Sequence, residues 1–313
     1  MKVTLIHNPD AGSTDESCAD DLANSIRAAG HSVTCRSCRS AGWENALLEP
    51  SDLVAVAGGD GIVGTVAKRM IGKSVPITVL PMGTANNIAS TLGLTGIPND
   101  DLIRGWGSAR RIQLDLGTAR GPWGKRYFIE GLGLGLFTDV MSKLDARQNI
   151  DLAHLNAPKE KLDSVVQIMK HRLDSHPAYR LSLSVDGRDL SGDYILLEAM
   201  NVRCIGPNLC IVQAGPPGDG LLDVVLAAAD ERNQIMQFLS DRLEGAAGFP
   251  GLTVQQAGHM HIECAGARVH IDDDLWPKDG WSSDKPQLMV DISVESKCLE
   301  ILLPADDTQR SNA

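Results

Sequence analysis

Apolar and polar positions along the chain change their rhythm once, near Arg111. Before that point, short apolar runs alternate with helical patterns. Residues 3–8 (VTLIHN) read as a buried strand, and Leu22, Ala23, Ile26 and Ala29 recur at helical spacing within 20–29. His31–Cys35 offers the next strand. Leu53–Ala57 is an apolar run that stops at Gly58-Gly59, and Ile62, Val63, Val66, Met70 and Ile71 then mark one helical face. Ile77–Leu80 is another buried strand, closed by Pro81 and followed by a short helix over 84–92. Strands alternating with helices predict an open parallel sheet covered on both faces.

From Arg111 onward strand-like runs dominate. They fall at Arg111–Leu116, Arg126–Glu130, Arg180–Val185, Tyr194–Met200, Leu222–Leu226, around Val254, and at His259–Cys264, Arg268–Ile271 and Gln287–Val294. Asp186-Gly187 reads as a hairpin turn. This half predicts an antiparallel β-sandwich. Residues 141–178 interrupt it with a charged, helix-favouring stretch carrying Leu144, Leu152, Leu155, Leu162, Val165, Val166, Ile168 and Met169. That stretch reads as an inserted helical segment, either a lid or a surface excursion. The expected fold class is therefore α/β plus all-β. An open parallel-sheet domain covers 1–115, a β-sandwich covers 116–300 with the helical insertion near 141–178, and a polar tail follows over 301–313.

A length of 313 residues suits two domains better than one small core. With 29 Lys and Arg against 40 Asp and Glu, the formal charge is −11. Such a surface disfavours nucleic acid as a partner and argues against a polybasic membrane anchor. No run approaches the roughly 20 apolar residues of a membrane span. Met1–His7 enters a strand pattern directly, without the apolar stretch of a signal peptide. The seven cysteines are odd in number and scattered, as expected of reduced thiols in a cytoplasm. Cys35 and Cys38 have Cys-x-x-Cys spacing but lack a second pair, and read as incidental. His259, His261, Cys264 and His270 invite a zinc reading. Strand alternation, however, puts Cys264 on the face opposite His259 and His261, so they read as ordinary strand residues.

The chemistry gathers at strand ends. Gly58-Gly59-Asp60-Gly61 lies between a buried strand and a helix start. Glycines let backbone approach a phosphate chain, and the helix start supplies N–H groups. An Asp there can bind Mg²⁺ directly or through water. The alternative is a plain strand-to-helix turn. Gly59, Gly61 and Gly64 also satisfy G-x-G-x-x-G, but the next strand ends Val79-Leu80-Pro81-Met82, with no acid for a ribose. No Gly-Lys-Ser/Thr P-loop is present either. The second turn, Leu80-Pro81-Met82-Gly83-Thr84-Ala85-Asn86-Asn87, again follows a strand and opens a helix, with Thr84 and the Asn pair as candidate caps and ligand donors. The third, Asn8-Pro9-Asp10-Ala11-Gly12-Ser13, follows the first strand. Turns on neighbouring parallel strands share the carboxyl edge of the sheet, where open α/β folds bind ligands.

In this order, the turns resemble the Asn-Pro-x-(small)-Gly, Gly-Gly-Asp-Gly and Pro-x-Gly-Thr-x-Asn signatures of the diacylglycerol kinase catalytic family, which includes bacterial lipid kinases, sphingosine kinases and ceramide kinases. Asp115-Leu116-Gly117, Gly131–Phe137 (GLGLGLF), Asn201 with Gly206 and Pro207, and Asp219-Gly220-Leu221-Leu222-Asp223-Val224 extend the likeness over residues 3–303. The resemblance implies an α/β nucleotide domain, a β-sandwich and an active site in the cleft between them. It implies that Asp60 holds Mg²⁺·ATP, with Asn8, Gly58, Gly59, Gly61, Gly83, Thr84 and Asn86 around the nucleotide. Asp219 would bind a structural Mg²⁺ with help from backbone carbonyls. The family's Asp-Gly-Glu, whose Glu is the general base, aligns with Asp272-Asp273-Asp274. Asp274 then takes the base's place with one methylene fewer, ahead of Asp273; a metal site or a solvated turn are the alternatives.

Three further positions depart from the family. Ile62 stands where Thr is usual, Asn87 where Asp is frequent, and Ser13 where some bacterial members place a Lys. A charged network joining positions 13, 87 and 115 would thus keep only Asp115. The function expected is an ATP- and Mg²⁺-dependent lipid kinase acting on a diacylglycerol-like hydroxyl. It would be cytoplasmic and touch the membrane surface transiently, with a homodimer left open. The rivals are an NAD kinase-like enzyme, since that group also carries Gly-Gly-Asp-Gly, and a catalytically weak lipid-binding or regulatory protein. Trp276, beside the acidic triplet, is either lipid-facing or interdomain core.

Overall fold

A computed structural model describes residues 1–11, 17–145, 157–213, 215, 218–246, 248–278 and 287–305. Gly12 and Ser13 of the Asn8–Ser13 turn, residues 146–156 of the insertion and 306–313 of the tail lie outside the described residues. The chain divides into two compact units. One comprises Met1–Asp115 with the end of the chain from Ser296; the other comprises Leu116–Gly215 and Asp219–Glu295.

The first unit is built on β1 (Lys2–His7), β2 (Ser32–Ser37), β3 (Leu53–Gly58) and β4 (Ile77–Pro81), all parallel in the order β4-β3-β1-β2. β3 is buried along its whole length, which explains its unbroken apolar run. Helices α1 (Ser17–Ala28), α2 (Asp60–Met70), α3 (Asn87–Thr91) and α4 (Asn99–Gly105) connect or flank the strands. α2 buries Val63, Val66, Ala67 and Met70, an i, i+3, i+4, i+7 stripe.

The second unit takes the end of β5 (Arg110–Gly121), then β6 (Gly124–Phe128), β7 (Gly131–Gly135), β8 (Tyr179–Val185), the short β9 (Arg188–Asp189) and β10 (Gly192–Met200). The hairpin of β11 (Cys204–Ile205) and β12 (Leu209–Cys210) follows, then β13 (Leu222–Ala228), β14 (Thr253–Ala257), β15 (His259–Cys264), β16 (Val269–Ile271), β17 (Asp274–Trp276) and the first part of β18 (Leu288–Leu303). Pairing here is antiparallel. The strands enclose one apolar core containing Phe128, Leu132, Leu183, Leu197, Val224, Met260, Ile262 and Val290. The α/β plus all-β class read from the sequence is borne out.

Three features differ from the sequence reading. First, the described part of 141–178 is neither lid nor loose excursion. Helices α5 (Leu136–Asp145), α6 (Pro158–Ser175) and α7 (Arg232–Leu243) carry Phe137, Val140, Val166, Met169, Leu173 and Leu239 into a second core with Ile195, Leu196 and Val225 of the sheet. β10 is thus apolar on both faces: Leu197 and Ala199 point to one core, Leu196 and Met200 to the other. Second, the tail assigned to 301–313 begins with ordered strand. Ile301, Leu302 and Leu303 are buried, and Ile301 pairs in parallel with Ile77, so the end of β18 extends the first unit's sheet. Third, not every cysteine is a free thiol. β11 and β12 set Cys204 opposite Cys210, and the two form a disulfide. Cys35 and Cys38 are free, and burial pushes both thiols above their usual range, away from the reactive state of a redox pair.

Candidate active site

The three polar turns follow β1, β3 and β4, and strand register sets His7 beside Ala57 and Gly58 beside Pro81, so they share one sheet edge. Asn8 donates its N–H to the Ala57 carbonyl at 2.9 Å, and its Oδ1 accepts the Asp10 N–H at 3.1 Å. The Met82 N–H donates to the Gly58 carbonyl at 3.0 Å, joining the turn after β4 to the turn after β3. A Cβ on Gly59 would lie 3.1 Å from the Gly83 Cα, and one on Gly83 would overlap the Gly59 backbone. Glycine is required at both positions because two backbones cross in contact, leaving a cradle that a single methyl group would fill.

Asp60 opens α2, yet its carboxylate serves the neighbouring turn. Oδ2 accepts the Asn87 N–H and Oδ1 the Ile88 N–H, both at 2.9 Å. These are the first N–H groups of α3, which have no partner within the helix. Burial pushes the Asp60 carboxyl above its ordinary range, and the N–H bonds oppose that shift. Asn86 sits at φ 55° and folds its amide back on its own loop: Oδ1 accepts the Gly83 N–H at 2.9 Å and Nδ2 donates to the Gly83 carbonyl at 2.7 Å. Thr84 is exposed at the tip of this loop, and Gly61 on the first turn of α2. The sequence-derived residues Asn8, Gly58, Gly59, Asp60, Gly61, Gly83, Thr84 and Asn86 thus meet at one edge of the first unit. Of the three network positions, Asn87 is buried at the start of α3 and Asp115 is buried with its carboxylate accepting the Lys297 N–H at 2.5 Å.

In the second unit the acidic triplet separates into distinct roles. β16 and β17 form a hairpin with a two-residue turn, Asp272-Asp273, and Asp274 faces Ile271. Asp272 is buried at φ 51°, and its carboxylate accepts the N–H groups of Ile129, Glu130 and Gly131. Asp273 and Asp274 are exposed. Asp274 lies between two cations, with Lys278 Nζ at 3.0 Å and Arg126 Nη1 at 3.8 Å. Trp276 is half-buried against the second unit's own core and meets Trp123 edge to face at 5.2 Å between centroids.

Asp219 is exposed in the turn before β13, and its Oδ1 accepts the Leu221 N–H at 3.0 Å. Burial, assisted by the Asp219 charge, pushes the Asp223 carboxyl up. Among the described residues, no three His, Cys, Asp or Glu side chains converge on a metal position. His261 instead pairs with Asp291 at 2.8 Å and Glu263 at 3.2 Å, while Cys264 is buried. Sequence reasoning passed over Arg126 and Lys278, and also a buried pair, Glu198 and His270. Their signal was present: Glu198 is the single charge within the apolar run of β10.

Residues 2–119 match the family described as the diacylglycerol kinase catalytic domain. A diacylglycerol kinase of Mycobacterium tuberculosis is 27% identical over 266 residues, spanning 83% of this chain and 79% of that protein. Among solved structures, a diacylglycerol kinase from Bacillus anthracis superposes with a TM-score of 0.71 at 17% identity, over 98% of each chain. Yeast NADH kinase in complex with NADH shares the fold more distantly, with a TM-score of 0.51 at 9% identity over 98% of this chain and 84% of that one. No helix among the described residues is long and apolar enough to cross a membrane. The matched segment contains both glycine turns and the carboxylate that ties them together, and over it the chain is similar to the diacylglycerol kinase catalytic domain.

Proposed function

We propose that this protein is a kinase that transfers the γ-phosphate of ATP to the hydroxyl of a diacylglycerol-like lipid presented at a membrane surface. The observation that carries the reading is the crossing of the Gly59 and Gly83 backbones beside Asp60, at the carboxyl edge of the parallel sheet. Backbone bare of side chains at such an edge suits a polyphosphate. Asn8, Gly58, Gly61, Thr84 and Asn86 surround the nucleotide in this scheme. The Asp60 carboxylate, held by the Asn87 and Ile88 N–H groups, is the oxygen donor offered to a Mg²⁺ ion or its water. Mg²⁺, when bound, would neutralise charge on the β- and γ-phosphates. Asp219, exposed beside Asp223, offers the carboxylate for a structural Mg²⁺ completed by backbone carbonyls.

Asp274 accepts the lipid hydroxyl proton as that oxygen attacks the γ-phosphorus. The new bond is lipid O–Pγ, the bond broken is that between Pγ and the bridging oxygen, and ADP departs with its electron pair. Arg126 and Lys278 keep a positive field around the base. Exposure of Asp274 supports access by an outside substrate.

The test incubates purified protein with ATP, Mg²⁺ and a panel of lipids in mixed micelles, with NAD as an additional acceptor, and reads the gain of one phosphate by mass spectrometry. Phosphorylated diacylglycerol that vanishes with Asp60→Ala supports the reading. Phosphorylated NAD would replace it with the NAD kinase-like one, and ATP binding without any product would favour a lipid-binding regulator. Gly83→Ala offers a separate check. Its methyl group must push the two turns apart, at about 1–3 kcal/mol. ATP affinity measured by calorimetry is expected to fall about tenfold.

A further inference from the structure

Beneath α5, the strands β7, β10 and β16 hold a buried polar pair that no part of the proposed chemistry uses. Glu198 and His270 are 0% and 1% exposed. They flank Gly133 of β7 on opposite sides, since Glu198 and His270 both register with it. A Cβ on Gly133 would overlap the Glu198 carboxylate, so the central strand is cleared of a side chain where that carboxylate lies. His270 Nε2 meets Glu198 Oε2 at 2.9 Å, and His270 Nδ1 meets the Asp272 carbonyl oxygen at 3.1 Å.

A carbonyl oxygen only accepts, so Nδ1 must carry a hydrogen. That fixes the tautomer and leaves one proton for the contact between Nε2 and Oε2. Burial opposes charge on His270, but the Glu198 carboxylate and its hydrogen bond outweigh it and hold the imidazole above its usual range; burial pushes Glu198 up as well. Both directions keep that proton in the pair.

The carbonyl of Asp272 belongs to the central peptide of the two-residue hairpin turn. Such a peptide can flip between turn types at little cost unless something pins it. Here the turn is held at three points: the Asp272 carboxylate on the N–H groups of residues 129–131, the Asp272 N–H on the Gly131 carbonyl at 2.8 Å, and His270 on the Asp272 carbonyl. The last of these acts directly on the peptide plane leading to residues 273 and 274.

We propose that Glu198 and His270 are positioning residues for Asp274: Glu198 orients His270, and His270 Nδ1–H locks the Asp272–Asp273 peptide so that the acceptor base leaves the turn in one direction. This rests on Asp274 being the base. It also explains a buried glutamate and histidine among the apolar residues of β10 and β16. A buried charged pair is a weak source of stability but a means of selecting one conformation.

The experiment measures kcat and KM for ATP on the lipid found in the panel. His270→Phe and Glu198→Leu should each lower kcat about tenfold or more, the scale of a small misplacement of a reacting group, with KM for ATP unchanged. Glu198→Gln should recover kcat to within about threefold, because its amide can donate to Nε2 and leave Nδ1–H in place. Asp274→Asn in the same assay separates the two ideas. If it is fully active, the base reading fails. If it is inactive while His270→Phe keeps its kcat, the positioning role fails alone. Histidine ¹⁵N NMR on the unaltered protein needs neither variant nor lipid. It should show His270 protonated at Nδ1 across neutral pH, and an unprotonated Nδ1 would overturn the proposal.

Discussion

Asp60→Ala is expected to abolish phosphoryl transfer while leaving both units largely folded. Two losses combine. In the proposed scheme the nucleotide loses a carboxylate beside its phosphates, and α3 loses the acceptors of the Asn87 and Ile88 N–H groups. Each orphaned N–H costs about 1–3 kcal/mol, less where water enters the vacated space. The Gly83–Asn87 turn then no longer holds its place against Gly58–Asp60. Removing one preorganised electrostatic group commonly costs about 10²–10³ in rate, and here the cradle geometry fails with it. A kcat/KM reduced about 10³-fold, with circular dichroism close to wild type and a lower melting temperature, is the expected combination. Unchanged turnover would remove Asp60 from the site.

Asp274→Asn should reduce kcat by about 10²–10⁴, the range associated with a general base. Its stability should barely change. The carboxylate is exposed, and its partners Lys278 and Arg126 make surface pairs of the kind worth about 0–1 kcal/mol. A rate loss without a shift in melting distinguishes this residue from Asp272, whose carboxylate is committed to three backbone N–H groups. Asp274→Glu restores the length common in the family and should keep kcat within about tenfold. Loss of activity in Asp273→Asn, with Asp274→Asn active, would move the base by one residue.

Much of the first unit was legible because its signals are local. A strand buried on both faces writes itself as an apolar run, and a turn that crosses another backbone demands glycine, so the positions of Gly58–Gly61 and Gly83–Asn87 could be read directly. Their division of labour could not. That Asp60 caps a helix 27 residues away, or that Asn86 spends its amide on Gly83, depends on which turns become neighbours. The helical character of 141–178 was visible, but the docking face of α5 and α6 required knowing that β10 is apolar on both sides. The Cys204–Cys210 bond depends on strands of two residues each, too short to leave a periodic trace. The change of partner within β18 leaves no mark at all, because Leu299–Leu303 is as strand-like beside one sheet as beside another.

That last strand has a consequence for how the protein acquires its structure. β18 starts in one unit and finishes in the other, so the sheet built from the first 81 residues lacks its β4 neighbour until Ile301 has left the ribosome. Pairing Ile77 with Ile301 closes a loop of more than two hundred residues, among the most non-local contacts a chain of this size can make. Until then β4 presents an open, apolar edge of the kind that recruits foreign strands. The sheet of the first unit is therefore completed late in synthesis, after the residues of the second unit have been made.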